Sequence, residues 1–365
     1  MLLESSTNFS KEIMKKPQIV LTEQKISFAG NDYLGLSRDE RLIEALYQSA
    51  KEYGISPTSS RWGLGWNTIF EEMEKNLTEF FGTEDATFFG IAFIGGLIYF
   101  SAMREKHDTV FCDATCHVNL FKGMSAAGYT VHKYRHLDVA HLEELLETHA
   151  VKNPIIATDG LWGISGEIPP ILEISNLAKK YNAELLIDDA HGVFGVGCRG
   201  RGVAEHCGIK PEDATILGSM SKALGCNGGF LVGREELVDL FRSNEVTSGT
   251  SASAVPIIGA CVKAMQIIKD EPELKDNLYK NAKRMRVALN SKGISTVDEN
   301  SPIIGMVLKD EFEAAKLSEH LYKYDIAIPY FKYASEPRHE LLRGIAKSCY
   351  TEQELLLFEK AIKEF

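Results

Sequence analysis

Lys222 stands in Gly218-Ser219-Met220-Ser221-Lys222-Ala223-Leu224-Gly225, among small and apolar residues with no other charge in the run. An ε-amine in such surroundings is disfavoured as an ammonium, so it is set to lose its proton and attack a carbonyl carbon. Upstream, Ile187-Asp188-Asp189-Ala190-His191-Gly192 offers a carboxylate and, three residues on, an imidazole that can meet one flat, charged ligand from two sides. A third cluster, Asp113-Ala114-Thr115-Cys116-His117, carries another histidine. Taken singly, Asp188 reads equally well as a helix N-cap, Lys222 as a solvated loop lysine and His117 as a structural histidine. Their common setting argues otherwise.

Each cluster follows a short β-branched or apolar run. The runs are Thr109–Cys112, Pro154–Thr158, Glu184–Ile187, Ala214–Leu217 and Phe230–Val232. Between them, apolar residues recur at helical spacing over Val118–Ala127, Val139–His149 and Ile171–Tyr181, as they do earlier over Asp39–Tyr53 and Thr68–Phe81. This alternation predicts an α/β fold with a mostly parallel sheet covered by helices, and such sheets bind ligands at the carboxyl ends of their strands. After Ser253 the pattern changes to a long helical segment, Ile257–Leu289, leading into further strands and helices. The expected division is an N-terminal arm over 1–38, a large domain over 39–252 and a smaller C-terminal α/β domain over 253–365.

Composition narrows the function classes. The 365 residues are 44% hydrophobic, and 40 basic against 51 acidic side chains leave a net charge of −11. That balance argues against a non-specific grip on nucleic acid or an anionic membrane. The longest nearly uncharged apolar stretch, Ile91–Met103, is shorter than the roughly 20 residues a bilayer span needs. Met-Leu-Leu-Glu-Ser-Ser lacks a basic, then apolar, leader, and the seven scattered cysteines suit a reducing compartment, so a cytoplasmic location is expected. Gly195-Val196-Gly197-Cys198-Arg199-Gly200 fits the dinucleotide fingerprint by letter, but Arg201-Gly202 follows where a helix should open. Cys112, Cys116 and His117 lack a second ligand pair and read as buried thiols beside a histidine, not as a metal site. Trp62 and Trp66, which bracket Gly63-Leu64-Gly65, read as packing residues sooner than as a lid.

With these motifs in order, the chain resembles the α-oxoamine synthases, pyridoxal-phosphate enzymes of fold type I. The matching stretches are Asn31-Asp32-Tyr33-Leu34-Gly35, Thr158-Asp159-Gly160, Asp188-Asp189-Ala190-His191-Gly192, Gly200–His206, Gly218–Gly225 and Leu342-Arg343, spread over residues 25–362. The resemblance implies pyridoxal 5'-phosphate held by Lys222 as a Schiff base, with Lys222 then moving the substrate's α-proton. It implies Asp188 at the pyridine nitrogen, His191 at the ring's phenolic oxygen and His117 on the ring face. Ser219 and the backbone amides of Ala92 and Phe93 would hold the phosphate, joined by Thr250-Ser251 of a neighbouring subunit in a homodimer. Arg343, with Asn31, would take the amino acid's carboxylate in a forked grip that lysine cannot copy. The implied reaction joins a small α-amino acid to an acyl thioester, carried by CoA or a carrier protein, with loss of CO2.

The cofactor's core contacts survive, while positions near the acyl-donor entry depart from the family pattern. Gly54-Ile55-Ser56-Pro57-Thr58-Ser59-Ser60-Arg61 is poor in glycine where the family is rich, and Phe70 stands for a histidine. Ala92 and Gly96 replace glycine and asparagine, Gly163 stands for a common serine, and Ser219 replaces threonine. Ser56, Thr58, Ser59, Phe70 and Gly163 keep a second outcome open: aldol cleavage, transamination or racemisation at Cα. A catalytically silent subunit is a third reading, against which the presence of Lys222 counts.

Overall fold

The strands read as continuous apolar runs because the main sheet is covered on both faces: all five residues of Thr109–Asp113, Ile155–Asp159 and Thr215–Ser219 are buried. The structure is a computed structural model and describes residues 25–332 and 338–365; the expected arm lies, up to Gln24, outside the described residues. In chain order the strands are β1 (Ile26–Ser27), β2 (Asp85–Phe89), β3 (Thr109–Asp113), β4 (Thr130–Tyr134), β5 (Ile155–Asp159), β6 (Glu184–Asp188), β7 (Thr215–Ser219), β8 (Gly229–Gly233), β9 (Ser295–Thr296), β10 (Ile303–Val307), β11 (Ile326–Ala327) and β12 (Leu341–Ile345).

Seven of them form one sheet in the order β2-β8-β7-β6-β5-β3-β4. Every pairing is parallel except those of β8, which runs antiparallel to both β7 and β2. The helices expected over Thr68–Phe81 and Val139–His149 are found with those limits. Ala-Thr-Phe-Phe of β2 and the half-exposed Thr-Val-His-Lys-Tyr of β4 escaped the sequence pattern, since neither is a continuous β-branched run.

The single helix expected over Ile257–Leu289 is two, Val255–Asp270 and Glu273–Asn290. The break falls at Glu271-Pro272, where proline has no N–H to continue the ladder. The halves also keep different company. The first packs on Glu40–Tyr53 and Thr68–Phe81, and the second on Glu352–Glu364, β9 and β10. Strands β12, β10 and β9 form an antiparallel sheet, and β1 joins β11, so Ile26-Ser27 sits beside Ile326-Ala327.

Helix Gly95–Met103 is apolar on nearly every face and buried, which disposes of it as a span; no described helix is long and apolar enough to cross a membrane. Gly96 faces helix Val118–Ala126 so closely that a Cβ on Gly123 would lie 2.5 Å from the Gly96 carbonyl carbon. No asparagine fits there without parting the two helices.

Candidate active site

The carboxyl ends of β3, β5, β6 and β7 finish on Asp113, Asp159, Asp188 and Ser219, and Asp159 and Asp188 are partners in the parallel register. The sheet therefore sets polar side chains along one edge. At that edge lies a cavity of about 660 Å³ lined by Lys222, Asp188, His191, His117, Ser219, Ala92, Phe93, Asn31 and Arg343, together with Asp159 and Asn119.

Lys222 enters from the loop after β7. Gly225 closes that loop with its N–H on the Lys222 carbonyl (3.0 Å), at φ +63°, where a Cβ would lie 2.4 Å from the Ser37 nitrogen. Burial pushes the ε-amine down to about 8, against the pull of Asp188 and Asp159, so a far larger share of it is neutral and nucleophilic near neutral pH than of an ordinary lysine.

Asp188 accepts from the Asn119 side-chain amide (2.9 Å) and from the Ala190 N–H (3.2 Å). On the neighbouring strand, burial and then the Asp188 charge raise the Asp159 carboxyl well above the usual carboxylate range. Asp159 accepts the His117 N–H at 2.8 Å and so fixes where the helix after β3 begins. His117 caps that helix, and its ring meets Phe93 edge-on at 6.1 Å.

His191 touches Tyr33: the Tyr33 hydroxyl and His191 Nδ1 are 2.8 Å apart. Burial, then Lys222, Arg343 and His117, hold the imidazole well below its usual range, so it is neutral. Burial raises Tyr33 to about 12, so its hydroxyl keeps its proton and pairs with Nδ1 as donor or acceptor according to the imidazole's tautomer.

Arg343 and Asn31 are brought together as expected. Arg343 donates from Nη2 to Asn31 Oδ1 (2.7 Å), from Nη1 to the Gly30 carbonyl (2.9 Å) and from Nε to the Gly163 carbonyl. Ser219 Oγ pairs with Ser221 Oγ at 2.7 Å on the cavity wall. Ala92 and Phe93 form the turn leading into helix Gly95–Met103, whose first amides lack intrahelical acceptors.

Thr250 and Ser251 are not brought to this cavity. Ser251 bridges Ser60 at the surface and Thr250 bonds the Thr247 carbonyl (3.2 Å). Of the departing positions Ser56, Thr58, Ser59, Phe70 and Gly163, only Gly163 lines the cavity; Phe70 is buried beneath Arg61. Asn119, Asp159 and Tyr33 were missed as site residues. All three stand inside or beside stretches already singled out, but a supporting amide looks like any other polar residue until its partner is placed.

The donor set fits pyridoxal 5'-phosphate. A buried amine, its ammonium disfavoured, faces an aldehyde's requirement, a strand-end carboxylate suits a pyridinium, and hydroxyls beside a helix start suit a phosphate dianion. The cradle is tight: a Cβ on Gly229 would lie 2.4 Å from the Ala92 Cα, so the Ala92-Phe93 turn rests directly on β8.

Residues 23–355 match the family described as "Aminotransferase class I and II". The chain is 30% identical over 368 residues to 8-amino-7-oxononanoate synthase of Lysinibacillus sphaericus, covering 99% of this chain and 92% of that protein. It is 29% identical over 317 residues to the enzyme of the same name from Methylococcus capsulatus, covering 85% and 82%. Among solved structures, Sphingomonas wittichii serine palmitoyltransferase superposes with a TM-score of 0.87 at 24% identity, over 100% of this chain and 96% of that one. The 8-amino-7-oxononanoate synthase of Francisella tularensis superposes with a TM-score of 0.79 at 22% identity, over 94% and 98%. At such identities the superpositions speak for the fold alone.

Fold and cavity thus define the class, the fold-type I pyridoxal-phosphate-dependent enzymes. Within that class, the chain belongs to the α-oxoamine synthase family.

Proposed function

We propose that this protein condenses a small α-amino acid with an acyl thioester, releasing free thiol and CO2 and leaving an α-amino ketone. The observation that carries the reading is a buried Lys222, its ammonium disfavoured, in one cavity with Asp188, His191 and the Arg343–Asn31 pair. The cofactor, when bound, supplies an aldehyde for the amino group and a ring that withdraws electrons from Cα. The chain's own residues do the rest. Lys222 anchors the cofactor and moves the Cα proton, Asp188 holds the pyridine nitrogen, and His191 donates from Nε2 to the phenolic oxygen. His117 covers the ring face. Arg343 and Asn31 orient the carboxylate, while Ser219 and the Ala92 and Phe93 amides hold the phosphate.

The acyl chain is uncharged. Ile91, Phe93 and Phe331 line the cavity yet remain exposed, and its only described cations, Lys222 and Arg343, already have roles. A carboxylate at the far end of the chain would meet no further lysine or arginine among the described residues that line the cavity. A second copy of the chain brings Thr250 and Ser251 to the phosphate. Exposed Ile55, Trp62, Leu64 and Trp66, in the segment that carries the Ser60–Ser251 bridge, give such a homodimer an apolar surface to bury.

The test mixes holoenzyme with amino acids and acyl-CoAs of graded chain and follows thiol release and CO2. Thiol from saturated acyl donors and little from dicarboxylic ones is expected. Aldehyde, keto acid or inverted amino acid without any thioester would replace the reading with another reaction at Cα.

A further inference from the structure

One cluster of titratable groups lies behind the cavity wall and takes no part in the chemistry above. His136, in the loop after β4, stands between two carboxylates: Nδ1 is 3.1 Å from both oxygens of Asp113, and Nε2 is 3.3 Å from Glu167 Oε2. Glu167 is also gripped by Arg338, Nη1 to Oε1 at 2.9 Å and Nη2 to Oε2 at 2.6 Å, and by Ser165 Oγ at 2.8 Å.

Glu167 ends a turn that begins at Trp162. The Trp162 N–H bonds the Glu167 carbonyl (3.0 Å) and the Gly166 N–H bonds the Trp162 carbonyl (2.9 Å). One side of the turn faces the cavity through Trp162 and Gly163. The other is pressed on β10, where a Cβ on Gly305 would lie 2.2 Å from the Ser165 carbonyl oxygen. Trp162 is fixed twice more: its ring meets His136 edge-on at 4.7 Å, and its Nε1 donates to Thr115 Oγ1 at 3.1 Å. Thr115 is itself bonded to Asp113 (2.9 Å) and His136 (2.8 Å).

We infer that His136 is a positioning residue, a cationic strut that, with Arg338 acting through Glu167, sets the Trp162–Glu167 turn and thereby the Arg343 grip on the amino acid. The link is the Gly163 carbonyl, which accepts from Arg343 Nε inside that turn. Opposite charges on both sides of one imidazole, one of them bridged to a residue of the C-terminal segment, couple the strand ends of the main sheet to the segment before β12. The inference rests on the reading of Arg343 as the carboxylate ligand. If the strut yields, the turn relaxes and Arg343 loses its register, at a cost in binding larger than in turnover.

The test uses His136→Gln, Arg338→Met and Arg338→Lys holoenzymes. Amide exchange is followed over residues 161–168, and the amino acid's dissociation constant is read from the bound cofactor's colour without acyl donor. Exchange in the turn should rise for His136→Gln and Arg338→Met, and affinity should fall on the order of tenfold with a smaller change in kcat. Arg338→Lys, which keeps the charge but not the two-bond grip, should recover only part of it. Unchanged exchange, or exchange that rises while affinity holds, overturns the strut. Wild-type protein whose colour no amino acid perturbs sinks the Arg343 reading instead.

Discussion

A Cβ on Gly163 would lie 2.3 Å from His191 Nε2. The imidazole thus occupies the space of the side chain that the family commonly carries there, and it cannot retreat without leaving the Tyr33 hydroxyl at its other nitrogen. Gly163→Ala and Gly163→Ser should therefore both displace the ring and lower kcat/KM, on the order of a hundredfold for a misplacement of about 1 Å. Steady-state kinetics decide it. A Gly163→Ser enzyme at wild-type rate would mean that His191 works from another position.

In the proposed site the Tyr33 hydroxyl donates to His191 Nδ1, which keeps the ring's hydrogen on Nε2. Tyr33→Phe removes the donor to Nδ1 while keeping the ring that fills the core. The two tautomers of the neutral imidazole then compete, and the share with hydrogen on Nε2 falls. Losing one such hydrogen bond is worth about 1 kcal/mol, so kcat should drop roughly fivefold with the protein's melting temperature little changed. A kcat equal to wild type would show that Tyr33 serves packing alone.

Much of this arrangement was legible in the sequence because it depends on strand ends. Asp188, His191, Ser219 and Lys222 follow apolar runs closely enough that placing the runs places the residues. Arg343 and Asn31 were found only through resemblance, as 312 residues separate them and no local pattern joins them. The break at Pro272 was passed over because the apolar spacing resumes on its far side; it was the proline, not the periodicity, that held the information. The His136–Glu167–Arg338 cluster was invisible for a similar reason. Its three members come from separate loops, and each alone looks like a solvated charge.

The same cluster gives stability a pH dependence. Burial alone would lower His136, but Asp113 and Glu167 more than reverse it and raise it from 6.5 to about 9. A raised base stabilises the fold fully below its unfolded value and loses that contribution as pH climbs through about 9. For Glu167, burial is outweighed by His136 and Arg338, which lower it from 4.5 to about 2, so its contribution is whole above 4.5 and lost as pH falls through about 2. Melting temperature of wild type minus that of His136→Gln should be largest near pH 6 and shrink toward pH 10. Other groups titrate over the same range, but they do so in both proteins and cancel. A difference that does not vary with pH would show that His136 is uncharged in the fold.

Arg61 and Glu74 form a buried, two-bond ion pair, Nη1–Oε1 at 2.6 Å and Nη2–Oε2 at 2.8 Å, with both side chains only 7% exposed. The carboxylate also accepts the Phe88 N–H at 2.8 Å, and the guanidinium lies 4.7 Å over the Phe70 ring. This pair joins the segment that carries Ser60 to helix Thr68–Phe81 and to β2, so the surface that the proposed homodimer would bury hangs on it. Removing Glu74 strands the Arg61 charge out of water, and Glu74→Gln should cost about 3–5 kcal/mol in denaturant unfolding; Arg61→Met should cost less, because the carboxylate keeps Arg242 Nη2 at 3.5 Å. The double variant should cost less than the sum, because its second change removes an already stranded charge. Phe70→His, which restores the residue type usual in the family, should also destabilise, since it replaces an apolar ring under the guanidinium with one that can itself become cationic. Single variants within about 1 kcal/mol of wild type would show the pair to be hydrated and interchangeable, and the surface segment to be held by its apolar contacts instead.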